Sequence, residues 1–481
     1  MSSAALAAPT GTAWPQGVAA RGVVRPRPRH NGWPLTALLV PYPLWWLLGM
    51  GTLVVFVLAV PMVLHLWRRR PVQVPPGFGL WLLFLLWAVL STAMLGVDPP
   101  GTLPGSATGR LVPVVFTLAG YVVVAVALLY VCNLTEEEYP RARLVGQLGW
   151  LFVVVVAGGL LGTYAPTFEV TSPVEWLLPP SVADNQFVRS LVHPSAAQLH
   201  EVLGYVTGRP SAPFGYTNTW GYVLTLLVGF FVVGWLRRPG LRRVLGVVVL
   251  GLSVIPVVES LNRGVWIGVA LTVVFTAVWL ARDGHLAALG SLVVGLVLAT
   301  VVLAASPLGG VVAGRLDNPH SDGIRAFTIT RTVETTQHSP VLGFGSTRRA
   351  LGSDNSIAVG RDEDCDTCGN APLGSTGQLW LVMISHGFVG AALYVAALLR
   401  MAWAARRDRS ALAWASLIAV LLSLPYMFLY NALVVPLLIT FLAIGLLWRN
   451  GRQDPAGAPA GPAAAPRSVP PPLPGGPVHR P

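Results

Sequence analysis

Lysine is absent from this chain of 481 residues, and charge of either sign is scarce: 11% of residues are charged and 54% hydrophobic. Soluble domains carry about a quarter charged residues. Halving that share while raising the apolar content leaves too little polar surface to cover a water-soluble fold, so the composition predicts a chain solvated by lipid. Cysteine is also sparse. Cys132 lies in an apolar run, and Cys365 and Cys368 share one polar stretch. Their Cys-x-x-Cys spacing suits a zinc knuckle or a redox pair, but no second Cys or His pair accompanies it, and a small local disulfide is the simpler reading. The acidic neighbours Asp362, Glu363, Asp364 and Asp366 lack regular cation-ligand spacing and read as a solvated loop. No phosphate-binding loop, dinucleotide fingerprint or nucleophile elbow stands in a credible context. The N-terminus lacks a signal peptide, because basic, Pro-rich residues from Arg21 to His30 precede the first apolar run.

What is present is a series of apolar runs, at roughly 34–67, 77–97, 111–132, 146–165, 216–236, 241–258, 264–281, 285–306, 377–400, 411–430 and 432–448. A membrane-spanning helix needs about 20 such residues. The first run is too long for one helix and is interrupted by Pro41 and Pro43, which favours a bent pair. The expected fold is therefore an all-α polytopic membrane protein of eleven to twelve transmembrane helices, over residues 33–450. Residues 1–32 read as a disordered basic arm and 451–481 as a disordered Pro/Ala-rich tail.

The net charge of +12 would suggest nucleic acid as a partner in a soluble protein. Here it follows the positive-inside rule, and no nucleic-acid partner is expected. Arg68–Arg70, Arg141, Arg143, Arg237, Arg238, Arg242, Arg243, Arg282, Arg400, Arg406, Arg407, Arg409, Arg449 and Arg452 fall in alternate loops. Those loops are then cytoplasmic, as are both termini of a multi-pass cell-membrane protein. The two long loops, 166–215 and 307–376, fall outside. Loop 166–215 carries Trp176, Phe187, His193, His200 and Tyr205, which predicts short interfacial helices, and long loops with structure of their own are commonly functional.

Ionisable residues are nearly missing from the apolar runs. Proton and ion pathways need them there, so their scarcity weighs against a coupled transporter. Charges gather instead at the outer boundary: Arg209, Glu259, Arg263 and the arginines of 307–376. In Ser260-Leu-Asn-Arg-Gly-Val-Trp-Ile-Gly268, Arg263 opens a span from the outside and can offer two parallel hydrogen bonds to a phosphate. Asn262 flanks it, and Gly264 would admit a substrate close to the backbone. The plainer reading is an arginine snorkelling at a helix end, paired with Glu259. Arg348 and Arg349 follow the Gly343-Phe-Gly345 turn and could clamp a diphosphate or stand as an exposed pair.

The run Glu259 to Gly268 resembles the Ser-Arg-Gly-x-Trp signature of the O-antigen ligase and polymerase family. Three further stretches are similar to segments of that family. They are Arg209-Pro-Ser-Ala-Pro-Phe-Gly-Tyr-Thr-Asn-Thr-Trp-Gly221, Ser339-Pro-Val-Leu-Gly-Phe-Gly345, and Gly374-Ser-Thr-Gly-Gln-Leu-Trp followed by His386-Gly-Phe-Val-Gly390. The resemblance covers about 200–400, and the Trp-rich, arginine-only style resembles actinobacterial chains. It implies a membrane glycosyltransferase that moves or polymerises a glycan from a polyprenyl-diphosphate donor onto an acceptor glycan or lipid hydroxyl, in cell-envelope or exopolysaccharide assembly. No metal or other cofactor enters that scheme. Two arginines would stabilise the departing diphosphate; Arg263 matches the first and Arg325 the second. Arg209, Asn262, Gly264, Arg348, Arg349, Thr376 and Gln378 would line the substrate site. The family's histidine base has no counterpart at Gly374 to Gly377, and His386 lies about 15 Å further along a helix. His338, His320 and Asp322 are the candidates left, and the base stays unassigned. A lipid-linked glycan transporter and a non-catalytic family member are the competing readings.

Overall fold

Prolines and glycines divide the first apolar run. The computed structural model describes residues 31–183, 185–201, 206–316, 320–350, 371–404 and 406–453. Pro34 starts a short helix α1 (Trp33–Leu39), and Pro41 and Pro43 set the start of α2 (Tyr42–Leu47), where a missing N–H costs nothing. Gly49, with φ +76°, then turns the chain into α3 (Leu53–Arg68). A side chain at Gly49 would also strike Ser172 and the Val192 carbonyl. The first run is thus bent, with α1 packed back on α3, but α1 and α2 have seven and six residues, too short for the second span expected of a tight pair.

Helices α4 (Phe78–Ser91), α5 (Leu111–Asn133) and α6 (Arg141–Tyr164) follow. The segment after α6 folds as three short helices, α7 (Pro173–Trp176), α8 (Pro180–Ala183) and α9 (Gln186–Val192). Ser172 and Glu175 form a capping box on α7, and Asn185 caps α9. An antiparallel hairpin of β1 (Ala197–Glu201) and β2 (Val206–Pro210) comes next, with Gln198 opposite Arg209. The sequence reading anticipated the short helices and missed the hairpin.

Four long helices continue the chain: α10 (Thr217–Phe231), α11 (Leu241–Glu259), α12 (Arg263–Arg282) and α13 (Leu286–Ala305). Then come α14 (Pro307–Leu316), α15 (His320–Gln337), α16 (Gln378–Ala404), α17 (Ala411–Tyr426) and α18 (Val435–Gln453). The structure is 71% helical, with that hairpin as its one sheet among the described residues. Among the described residues, seven helices are long and apolar enough to cross a membrane: α5, α6, α10 with its terminal π turn, α11, α12, α13 and α16. Shorter apolar helices α3, α4 and α17, together with α18, fill the remaining runs. This is an all-α polytopic membrane protein.

Its core lies where α4, α5, α6, α10, α16, α17 and α18 pack together. Trp81 stands at the centre, ringed by Phe84, Tyr121, Tyr394 and Phe441. In lipid such contacts hold through packing, since tails are as apolar as leucine. Small residues therefore sit at the crossings: Gly159 lies against Trp220, and Gly229 against Ala415. α11, α12 and α13 stay peripheral, and α13 buries no residue at all.

The two ends of the bundle differ chemically. One end is tied by ion pairs between the arginine-bearing connections: Arg69 with Glu138 at 2.6 Å, Arg449 with Glu136 at 3.0 Å and Arg409 with Asp283 at 3.5 Å. At the other end the 166–215 and 307–350 segments meet the turn between α11 and α12.

Candidate functional site

That turn starts where Pro256 sits in the last turn of α11, and it runs through Leu261 at φ +51°. A left-handed leucine is strained and persists only where its surroundings hold it. Two arginines do so. Arg209 on β2 donates from Nε to the Ser260 carbonyl at 2.7 Å, and Arg315 on α14 donates to the Leu261 carbonyl at 3.1 Å. One comes from each long segment.

Tyr430, in the connection between α17 and α18, closes the turn from the opposite side. Its hydroxyl donates to Asn262 Oδ1, while Asn262 Nδ2 donates to Asn218 on α10 at 3.2 Å. Any side chain at position 264 would occupy the volume of the Tyr430 hydroxyl, and one at 268 would collide with Tyr426. Asn262 and Gly264 therefore bind Tyr430. The close substrate approach expected at Gly264 is corrected by this contact, because the tyrosine already fills the space.

Arg315 and Arg325 both act on Arg209 here. Burial pushes the Arg209 guanidinium down to about 10, and Arg315 and Arg325 push it the same way, against Tyr430. Burial raises the Tyr430 hydroxyl, while Arg325, Arg209 and the Asn262 hydrogen bond oppose the rise. Arg325, two turns into α15, thus shares an electrostatic neighbourhood with Arg209, Arg315 and Tyr430. Arg263 opens α12, half-buried, between the two residues that touch Tyr430. Cations brought together in a partly desolvated place disfavour one another's charge. The amino end of α12 adds a dipole of the same sign.

Other expected site residues are placed elsewhere. Arg348 is caged: it donates to the carbonyls of Leu95, Val97, Phe344, Ser346 and Thr347 at 2.9–3.2 Å and to Ser346 Oγ at 2.8 Å. Burial and then Arg110 push it down to about 10, against the pull of Asp98. Its two terminal nitrogens are taken up by the backbone and Ser346, so it is a structural lock and not a substrate clamp. Arg349 is exposed, in a bridge to Pro372. Gln378 is buried, donating to the Tyr121 hydroxyl and accepting from Ala432 N–H, which corrects its reading as a substrate ligand. Thr376 keeps a buried hydroxyl without a partner among the described residues. His338 caps the far end of α15; thirteen residues at 1.5 Å separate it from Arg325 by about 20 Å. That distance removes it from the arginine group. His320 and Asp322 stand on the first turn of α15, and their side chains lie outside those described, as do Cys365, Cys368 and the acidic stretch around them.

The glycine motifs converge on α16. Gly387 breaks that helix at φ +70°, ψ −177°, and the 339–345 segment inserts at the break. Phe344 and Gly345 N–H donate to the Ile384 and Ser385 carbonyls at 2.9 and 2.8 Å, and Phe388 N–H to Pro340 at 2.8 Å. The freed backbone groups are satisfied by protein, as a broken helix at membrane depth requires. His386 lies beside the break, 1% exposed, against Phe84 and Tyr121. It is far inside the bundle, where its spacing along the helix places it.

Sequence reasoning missed Tyr430, Asn218 and the part played by Arg315. Tyr430 sits within an apolar run, and its one signal is the enrichment of tyrosine at membrane boundaries. No family model and no curated protein matches this chain.

Proposed function

We propose that this chain is a membrane glycosyltransferase that moves or polymerises glycan from a polyprenyl-diphosphate donor onto an acceptor hydroxyl. The observation that carries the reading is the convergence of Arg209, Arg315 and Arg325 around Tyr430 and the α11–α12 turn. An anion site at the edge of lipid-facing helices suits a substrate with a charged head and an apolar chain. Further support comes from the resembling segments, which meet in pairs. Arg209 holds Ser260, and Gly221 packs on Val265; Gly343 packs on the Gly387 backbone.

In this mechanism the acceptor hydroxyl attacks the anomeric carbon while the bond from that carbon to the diphosphate oxygen breaks. The arginines stabilise the charge that grows on the leaving diphosphate. The acceptor proton passes to a base on the first turn of α15, which carries His320 and Asp322. Asp322 is three residues from Arg325, the spacing of neighbours on one helix face.

The test is transfer from radiolabelled polyprenyl-diphosphate glycan in membranes, comparing wild type with Arg263→Ala and Arg325→Ala at matched levels. Loss of about 100-fold or more in both is expected, the scale of removing a preorganised charge partner. Unchanged transfer in Arg325→Ala contradicts the mechanism. The transporter reading draws on the broken α16, and wild-type membranes that translocate the donor without transferring its glycan would favour it.

A further inference from the structure

α12 and α17 form one seam that is closed at both ends. Near the α11–α12 turn, a side chain at Gly268 would collide with Tyr426. At the ion-paired end, Trp279 of α12 packs on Trp414 of α17 with ring centres 6.2 Å apart. There Arg409, just before α17, also pairs with Asp283, just after α12, at 3.5 Å. Between these contacts the seam opens into a groove of about 400 Å³, lined by Leu271, Val274 and Val278 of α12 and Ile418, Leu421 and Pro425 of α17. Leu271, Val274, Val278 and Leu421 are exposed, so the groove opens sideways, where lipid lies. Arg282 ends α12 about three turns beyond Leu271, which puts it on the groove face of the helix. It is exposed and has no carboxylate partner among the described residues.

We propose that the groove and Arg282 together bind one anionic phospholipid of the adjoining leaflet, with an acyl chain along α12 and the phosphate at the ion-paired end. Two observations select this occupant. The first is length. At 1.5 Å per residue Leu271 lies about 17 Å from Arg282, close to the depth of one leaflet, half of a hydrocarbon core of about 30 Å. The Gly268–Tyr426 contact stops the groove there, so it fits the chain of a single-leaflet lipid. The second is charge. At the end of α12 and in the α16–α17 connection, Arg282, Arg406, Arg407 and Arg409 outnumber Asp283 and Asp408 among the described residues. That positive surplus selects a lipid of net negative charge over a zwitterionic one. α12 buries only Gly264, Val265 and Gly268, all at its start, so the lipid supplies packing for the rest of the helix. The assignment does not depend on what the other end of α12 binds.

The test uses the full chain in detergent micelles and measures retained lipid by native mass spectrometry, so it reads independently of glycan transfer. The probes are phosphatidylglycerol and phosphatidylethanolamine with the same acyl chains. Wild type is expected to bind phosphatidylglycerol about fivefold more tightly, the scale of one basic side chain against an anionic head. Arg282→Gln should abolish that preference while both lipids still bind. Leu421→Trp and Val274→Trp each fill the groove and should weaken both lipids by about tenfold or more, because the chain loses buried CH₂ groups. Arg242→Gln and Val248→Trp, exposed on α11, are the controls and behave as wild type. Equal affinity of wild type for the two lipids overturns the proposal, as does a preference intact in Arg282→Gln. Wild-type binding in the groove variants, or an equal loss in the controls, overturns it too. Should one groove variant fail to fold, the other and Arg282→Gln still decide.

Discussion

At the scale of single residues, this protein uses arginine in two ways: some are caged by its own backbone, and a few gather near one tyrosine. Arg348 illustrates the first use. Truncating it to Ala strands six carbonyls that now accept from it. The expected cost is about 3 kcal/mol, as for breaking other buried charged networks, read as a lower melting midpoint in detergent. Arg348→Lys should recover little, because an ammonium cannot reproduce the planar fork. Gly264 tests the second use. Gly264→Ala collides with the Tyr430 hydroxyl and should destabilise by about 1–3 kcal/mol. Adding Tyr430→Phe removes the colliding oxygen and should return part of the loss. A strictly additive double mutant would show that the two residues do not touch.

At the scale of elements, the connections decide the structure more than the helices do. The Gly387 break in α16 exists because the 339–345 segment supplies partners for the interrupted backbone. Gly387→Ala places a side chain on the Pro340 and Val341 carbonyls in a backbone region open only to glycine. It should lower both the yield of folded protein and its melting point, whereas Gly79→Ala, in open space on α4, should not. The apolar runs made the helices legible before any coordinates, and Pro41 and Pro43 made the break in the first run legible too. The β1–β2 hairpin was not, because its strands have only five residues each and β2 carries Gly208 and Pro210, which strands disfavour. Arg209 and Arg263 stood out as charges at the outer boundary, and Arg325 through the family resemblance. Tyr430 and Asn218 did not, since nothing local separates an aromatic or amide that meets a distant turn from one that faces its own helix. Arg348 looked like a clamp because sequence gives a charge its position and not its partners.

At the scale of the whole molecule, the ion-paired end and the arginine-cluster end divide labour between holding the bundle and offering a site. Glu138 ties the first end together: its carboxylate accepts from Asn31 at 2.8 Å, Arg69 at 2.6 Å and Thr135 N–H at 2.9 Å. Desolvation raises this carboxyl, but those hydrogen bonds outweigh it and hold it at about 2. An unfolded glutamate titrates near 4.3. A depressed carboxylate stabilises the fold above the unfolded value, and that stability is lost as pH falls through the folded one. Wild type should therefore melt above Glu138→Gln at pH 5 and converge with it as pH drops from about 4 to about 2. A gap that widens on acidification would contradict the assignment.

The central claim, that the arginine cluster stabilises a departing diphosphate, is tested most directly by single-turnover glycan transfer at saturating polyprenyl-diphosphate donor. Wild type and Arg325→Ala would be compared, with donor affinity measured in parallel. The account predicts a rate at saturation lower by about 100-fold or more in Arg325→Ala, with a smaller change in affinity, because the charge it meets grows as the bond breaks. A rate at saturation equal to wild type, with only affinity reduced, would make Arg325 a simple anchor and contradict the account.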